Sequence, residues 1–192
     1  MNREEAVRLL HEWVENEGLR NHMRCVEVAM RAYARRFGED EDKWGLAGLM
    51  HDLDWEKYPE EHPLRAVEAL RGRGVGEDVL HAILAHRSDF TGVKPETQLD
   101  KALLACDEIT GLVTATALVR PSGIADLAPK SVKKKMKDPA FARGVDREEV
   151  KHAAELLGVD LDAHIQTVID AMREIADELG LNRPAVTTQE EA

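Results

Sequence analysis

The sequence predicts an all-α protein folded as a single-domain helical bundle, and three observations predict it. Apolar residues recur at steps of three and four along most of the 192 residues. The runs open on capping residues or proline and close on glycine. No segment alternates apolar and polar residues in the manner of a strand, and no internal repeat appears. A chain of this length can bury a core without disulfides or a structural metal.

Taken in order, Asn2 followed by Glu5 reads as a capping box for a first helix running to about Glu15, which Gly18 stops. The second helix carries Leu19, Met23, Val26, Met30, Tyr33 and Phe37 on one face, bordered by His22, and ends at Gly38. A third, from about Glu41 to Leu53, sets Trp44, Ala47, Gly48, His51 and Asp52 on an apolar helix whose glycines permit close packing. Pro63 suits the first turn of a helix with Leu64, Val67 and Leu70 inward, and a short helix spans about Glu77 to His86. The next runs from about Thr97 to Leu118 with Leu99, Leu103, Cys106, Ile109 and Val113 inward and Asp107 embedded among them. Pro121, Gly123 and Pro129 make an irregular link to a lysine-rich turn. Asp146 with Glu149 then caps a helix that Gly158 closes. Ile165, Val168, Met172, Ile175 and Leu179 define a last helix that Gly180 ends. The expected domain covers 1–181, its site-bearing half near 19–118 and a helical extension over 119–181, with a flexible acidic tail at 182–192.

The formal charge is −11. Such a surface repels phosphate backbones on average, so no nucleic-acid polymer is an expected partner, and an anionic substrate needs a local positive centre. The charged opening MNREEAVRLLHEWVENEG lacks the apolar core of a secretory signal, and no stretch approaches the roughly 18 apolar residues of a membrane span. A cytoplasmic protein with no membrane partner is expected. Cys25 and Cys106 sit in apolar patterns far apart, which predicts buried, reduced thiols.

Five of the eight histidines, His22, His51, His62, His81 and His86, gather between positions 22 and 86, around the His51-Asp52 pair. Imidazole nitrogen mixed with carboxylate oxygen suits a divalent metal, and ligands from separate helices can converge in a bundle. The alternative for any one histidine is a satisfied core residue. Asp107 and His22, both set within buried-looking helices, weigh toward metal, because an unpaired buried charge costs several kcal/mol and a shared cation relieves it.

The order His22, His51-Asp52, Asp107, set in LAGLMHDLDW and ALLACDEIT, resembles the HD-domain metal-dependent phosphohydrolases, over roughly Leu19 to Thr114. The resemblance implies that these four residues hold a first divalent ion. EHPLRAVEAL and AILAHRSDF resemble the additional histidine segments of two-metal members, including the bacterial HD-type diadenosine tetraphosphate hydrolases and the cyclic-dinucleotide phosphodiesterases. By that likeness His62 and His86 hold a second ion and Asp52 bridges the pair. The chain departs from those relatives in having Asp54 two residues beyond the His-Asp pair, where many have lysine, and Arg87 where threonine often follows the later histidine. The bland readings are a helix N-cap for His62, a helix-end cation for His86 and a surface acid for Asp54. His81, five residues before His86, lies about 140° away on a helix and is not assigned to the site.

The implied activity is hydrolysis of a phosphomonoester, phosphodiester or phosphoanhydride of a small molecule, in particular a nucleotide, by metal-activated water. His51, Asp52 and Asp54 are the candidate catalytic residues, Asp54 as a base if one ion is bound and the side chain turns inward. Arg87, Trp55 and Lys133 are the substrate-binding candidates. Arg87 offers a bidentate guanidinium, Trp55 a stacking face, and Lys133 the lysine-rich run, whose other reading is a solvated basic face. One or two divalent ions are expected, with iron, manganese, zinc, nickel and magnesium not distinguished, and a homodimer is compatible with the sequence. Two other functions share the ligand pattern: a nucleotide sensor without turnover, and a di-iron oxygenase on the same fold.

Overall fold

The computed structural model describes residues 1–182; the expected tail at 182–192 lies, but for Asn182, outside the described residues. Ten helices follow one another and no strand occurs among the described residues. They are α1 (Arg3–Trp13), α2 (Glu17–Phe37), α3 (Glu41–Met50), α4 (Leu64–Arg71), α5 (Glu77–Ala85), α6 (Ser88–Thr91), α7 (Gln98–Leu118), α8 (Pro129–Met136), α9 (Arg147–Leu157) and α10 (Leu161–Arg173). One hydrophobic cluster extends from Ala6 to Leu181.

Local signals fix the helix ends. Asn2 and Glu5 form the capping box of α1, and Gly38 closes α2 at φ +74°. Met23, Val26, Met30 and Tyr33 are wholly buried on the inner face of α2. Against them lies α3, and Gly48 makes the approach possible: a Cβ there would lie 2.8 Å from the Val26 carbonyl oxygen. The long α7, capped by Thr97 and Asp100, packs on α2, α5, α9 and α10 and is the axis of the bundle. Inside, His164 of α10 bridges two helices: its Nε2–H donates to the Ala105 carbonyl at 2.9 Å and its Nδ1 accepts from the Tyr33 hydroxyl at 2.5 Å.

Five elements differ from expectation, the first being the short α6, in a stretch where no helix was expected. Helix α3 ends at Met50, because the His51 imidazole takes the Gly48 carbonyl that the next helical N–H would use, and 51–57 continues as tight turns. Pro63 precedes α4 as its N-cap. The lysine-rich turn is a helix, α8, with Pro129 in its first turn. The last helix stops at Arg173; from Glu174 the bonds shorten to three residues, which keeps Ala176 and Leu179 inward until Gly180 turns the chain. Both cysteines are buried and free.

Candidate metal centre

Five elements deliver six side chains to one place. His22 comes from the middle of α2, Asp107 from α7, and His51 with Asp52 from the turn closing α3. His62 stands just before α4, and His86 caps α5. The turn that carries His51 and Asp52 is tied down: Glu56 accepts from the backbone N–H groups of Glu15 and Asn16, and Lys57 donates to the Glu12 carbonyl.

The side chains form two triads. In the first, His22 Nε2 and His51 Nε2 lie 3.0 and 3.4 Å from Asp107 Oδ1. In the second, His62 Nε2 and His86 Nε2 lie 3.3 and 3.7 Å from Asp52 Oδ1. Asp52 Oδ2 faces the first triad, 3.5 Å from His51 and 3.8 Å from His22. One carboxylate therefore spans both groups. An ion about 2.1 Å from each ligand spaces those ligands about 3.0 to 3.4 Å apart, close to what is found.

The protonation pattern supports a cation. Each ring has its Nδ1 committed to an acceptor: Gly48 O for His51, Ile83 O for His86, Asp54 Oδ1 at 2.7 Å for His62. For His22 the acceptor is the Thr110 hydroxyl at 3.4 Å, whose own hydrogen goes to the Asp107 carbonyl. Every Nε2 of a neutral ring thus presents a lone pair to the centre, the arrangement that second-shell bonds enforce on metal-binding histidines. His51 is fully buried and its Nε2 has no hydrogen-bond partner, while the Nε2 atoms of His62 and His86 face each other at 3.1 Å. Two lone pairs at that distance repel unless a cation lies between or beside them.

Electrostatics agree. Burial disfavours the His51 cation, yet Asp52 and Asp107 outweigh it and raise the ring to about 9. Burial equally opposes ionisation of Asp52 and Asp107, but His51 and its neighbours hold both well below the usual carboxylate range. The two carboxylates demand positive charge at this point.

The centre opens into a cavity of about 670 Å³. Trp55 and Arg87 line it with the ligands; Trp55 is 44% exposed, and the Arg87 guanidinium lies 5.9 Å from its ring while pairing with Asp89. Two sequence-based candidates are placed differently. Asp54 is neither a surface acid nor a group facing the cavity: it is wholly buried, and its second oxygen accepts from Ala66 N at 2.8 Å. That geometry orients His62. Lys133 lies away from the cavity on α8, paired with Asp162 at 2.7 Å. His62 does not act as an N-cap, since α4 has no side-chain cap bond.

The sequence reading missed four acidic lining residues, Asp89, Glu108, Asp146 and Glu149. Asp146 caps α9 as expected, but the second half of the box is exchanged. Glu108 of α7 accepts from Asp146 N at 3.2 Å, the bond that Glu149 would otherwise accept. Burial, then Asp107, raises Glu108 to about 7.

An all-helical bundle that converges four histidines and two aspartates in this way forms a candidate site for a divalent metal. Residues 19–112 match the family model for the HD domain, a domain typical of metal-dependent phosphohydrolases. No curated protein and no solved structure matches the chain. No helix among the described residues is long and apolar enough to cross a membrane.

Proposed function

We propose that the protein is a metal-dependent phosphohydrolase acting on a small phosphorylated molecule, with one divalent ion in each triad. The observation that carries this reading is the division of Asp52 between two triads, one holding the buried, unpartnered Nε2 of His51 and the other the facing Nε2 atoms of His62 and His86. His22, His51 and Asp107 would hold one ion, His62 and His86 the other, with Asp52 between them. Such ions acidify water to a nucleophile at neutral pH and neutralise phosphoryl oxygens.

The chain's own residues supply position. Gly48, Ile83, Thr110 and Asp54 fix the four imidazoles in the tautomer that leaves Nε2 bare, so no reorganisation is needed when substrate enters. Arg87, free to exchange Asp89 for an incoming phosphoryl oxygen, offers two N–H donors at the cavity wall. The exposed face of Trp55 supports a flat group such as a nucleobase, the refinement that favours a nucleotide.

The test is phosphate release from a panel of phosphomonoesters and nucleotides by metal-loaded protein, with Asp52→Asn as control. The proposal expects turnover of at least one substrate and its loss by 10³-fold or more, on the order of 4 kcal/mol, in the variant. Bound metal with no turnover across the panel would favour a sensor, and dioxygen consumption by the iron-loaded protein would favour an oxygenase.

A further inference from the structure

One wall of the cavity belongs to none of the ligand-bearing elements. Gly144 and Val145 line it from the irregular segment between α8 and α9, outside the matched 19–112 residues. A single side chain organises that segment. Arg147, the first residue of α9, donates from its two terminal nitrogens to four acceptors: Val145 O at 2.5 Å, Ala142 O at 3.2 Å, Asp138 O at 3.3 Å, and Phe141 O. All four are backbone carbonyls, and the Nε is buried without a partner. A cation at a helix N-terminus opposes the helix dipole, so the guanidinium serves the segment and not the helix. It also holds strain in place, since Ala142 sits at φ +45°, the left-handed region that a side chain disfavours. Two further ties fix the segment: Asp146 N donates to Glu108 of α7, and the Lys135 ammonium lies 4.5 Å from the Phe141 ring.

What the segment covers is a bare stretch of helix. Gly111 lies one turn beyond the ligand Asp107 on α7 and lines the same cavity. A Cβ built there would meet Val145 Cγ2 at 3.6 Å, an ordinary contact, and nothing closer outside its own helix. Glycine weakens a helix interior, and neither conformation nor packing requires it here. Its effect is to keep the cavity open beside the metal centre, with Val145 at the edge of the gap. At about 670 Å³ the cavity exceeds what a phosphoryl group fills and matches sites for organic molecules.

We propose that Arg147 is the positioning residue of this cavity: it holds Val145 over Gly111 as the wall against which the organic group of the substrate lies, beyond the phosphoryl group. The inference rests on the phosphoryl reading above and deepens it, because the substrate class becomes an organic phosphate with a ring-sized group, not pyrophosphate or another inorganic phosphate. Arg147 touches no substrate; it acts through Val145.

The experiment is titration calorimetry on manganese-loaded full-length protein with phenylphosphonate and methylphosphonate. Both present the same head group through a carbon–phosphorus bond that phosphate-ester hydrolysis does not cleave, and they differ in the ring. Phenylphosphonate should bind about tenfold tighter, from the apolar area it buries. Arg147→Lys keeps the charge but lacks the planar fork that reaches four carbonyls, and should lower that ratio to about twofold. Loss of folded protein reduces the number of sites without changing the ratio. Val145→Ala, which keeps the backbone groups that Arg147 binds, should lower the ratio to about threefold, and it decides alone where Arg147→Lys does not fold. Equal or weaker binding of phenylphosphonate by the unaltered protein overturns the proposal and leaves the phosphoryl reading standing. A tenfold ratio that persists in Val145→Ala, or in a folded Arg147→Lys protein, also overturns it. If neither probe binds the manganese-loaded protein, the phosphoryl reading falls and this inference with it.

Discussion

Replacing Asp54 by asparagine tests whether the second triad is built by its support. The carboxylate accepts two bonds, from His62 Nδ1 at 2.7 Å and from Ala66 N at 2.8 Å, and is wholly buried. Asparagine keeps the shape but has one acceptor and one donor. If its oxygen faces His62, its NH₂ meets the Ala66 N–H. If it flips, NH₂ meets Nδ1, and the His62 proton moves to Nε2, where the metal would bind. The first arrangement loses one buried bond, worth about 1 to 3 kcal/mol of stability; the second keeps both bonds at the cost of the His62 tautomer. In the second case affinity at the His62, His86 and Asp52 triad should fall about 10- to 100-fold, as for other outer-shell partners. Calorimetric titration of the metal-free protein should then show one tight site where the unaltered protein shows two, with circular dichroism confirming the fold. Two sites of undiminished affinity in a folded Asp54→Asn protein would refute the assignment of Asp54 as the positioning residue of His62.

Three further predictions follow from the same geometry. Gly48→Ala places a Cβ 2.8 Å from backbone on α2, so the α2 and α3 contact must open; a loss of about 2 to 3 kcal/mol in urea denaturation is expected, and a neutral substitution would contradict it. His164 is held neutral, its value lowered to about 4 by burial. An unfolded chain takes up that proton below about 6.5, so stability should fall as pH drops through this window, by about 3 kcal/mol in total. His164→Gln should show a correspondingly shallower decline in denaturation midpoint between pH 7 and 4, and an unchanged slope would refute the claim. Arg87→Ala removes the one guanidinium at the cavity wall and should raise KM about tenfold with little change in kcat, measured by phosphate release on whichever substrate turns over.

The helices and their order were readable because apolar spacing and caps act locally: Asn2 with Glu5, Gly38, Thr97 and Gly158 lie where helices begin or end. The His-Asp convergence was readable too, since His22 and Asp107 are polar interruptions in otherwise apolar stripes. What escaped depends on contacts between distant segments. Asp54 looks like any acid in a charged loop, and only the fold brings Ala66 N and His62 to its two oxygens. Glu149 looked like half of a capping box; its task went to Glu108, 41 positions earlier on a neighbouring helix, and nothing in the local sequence announces that exchange. The lysine-rich run shows the converse: its charge drew attention to Lys133, which the fold directs to Asp162 and away from the cavity.

The central claim is that six side chains hold two divalent ions with Asp52 between them, and anomalous X-ray scattering from manganese-soaked crystals tests it most directly. Two peaks about 3.5 to 4 Å apart are expected, one touching His22, His51 and Asp107, the other His62 and His86, with Asp52 reaching both. A map with no anomalous peak among these residues, at a manganese concentration that saturates the protein in solution, would contradict the account.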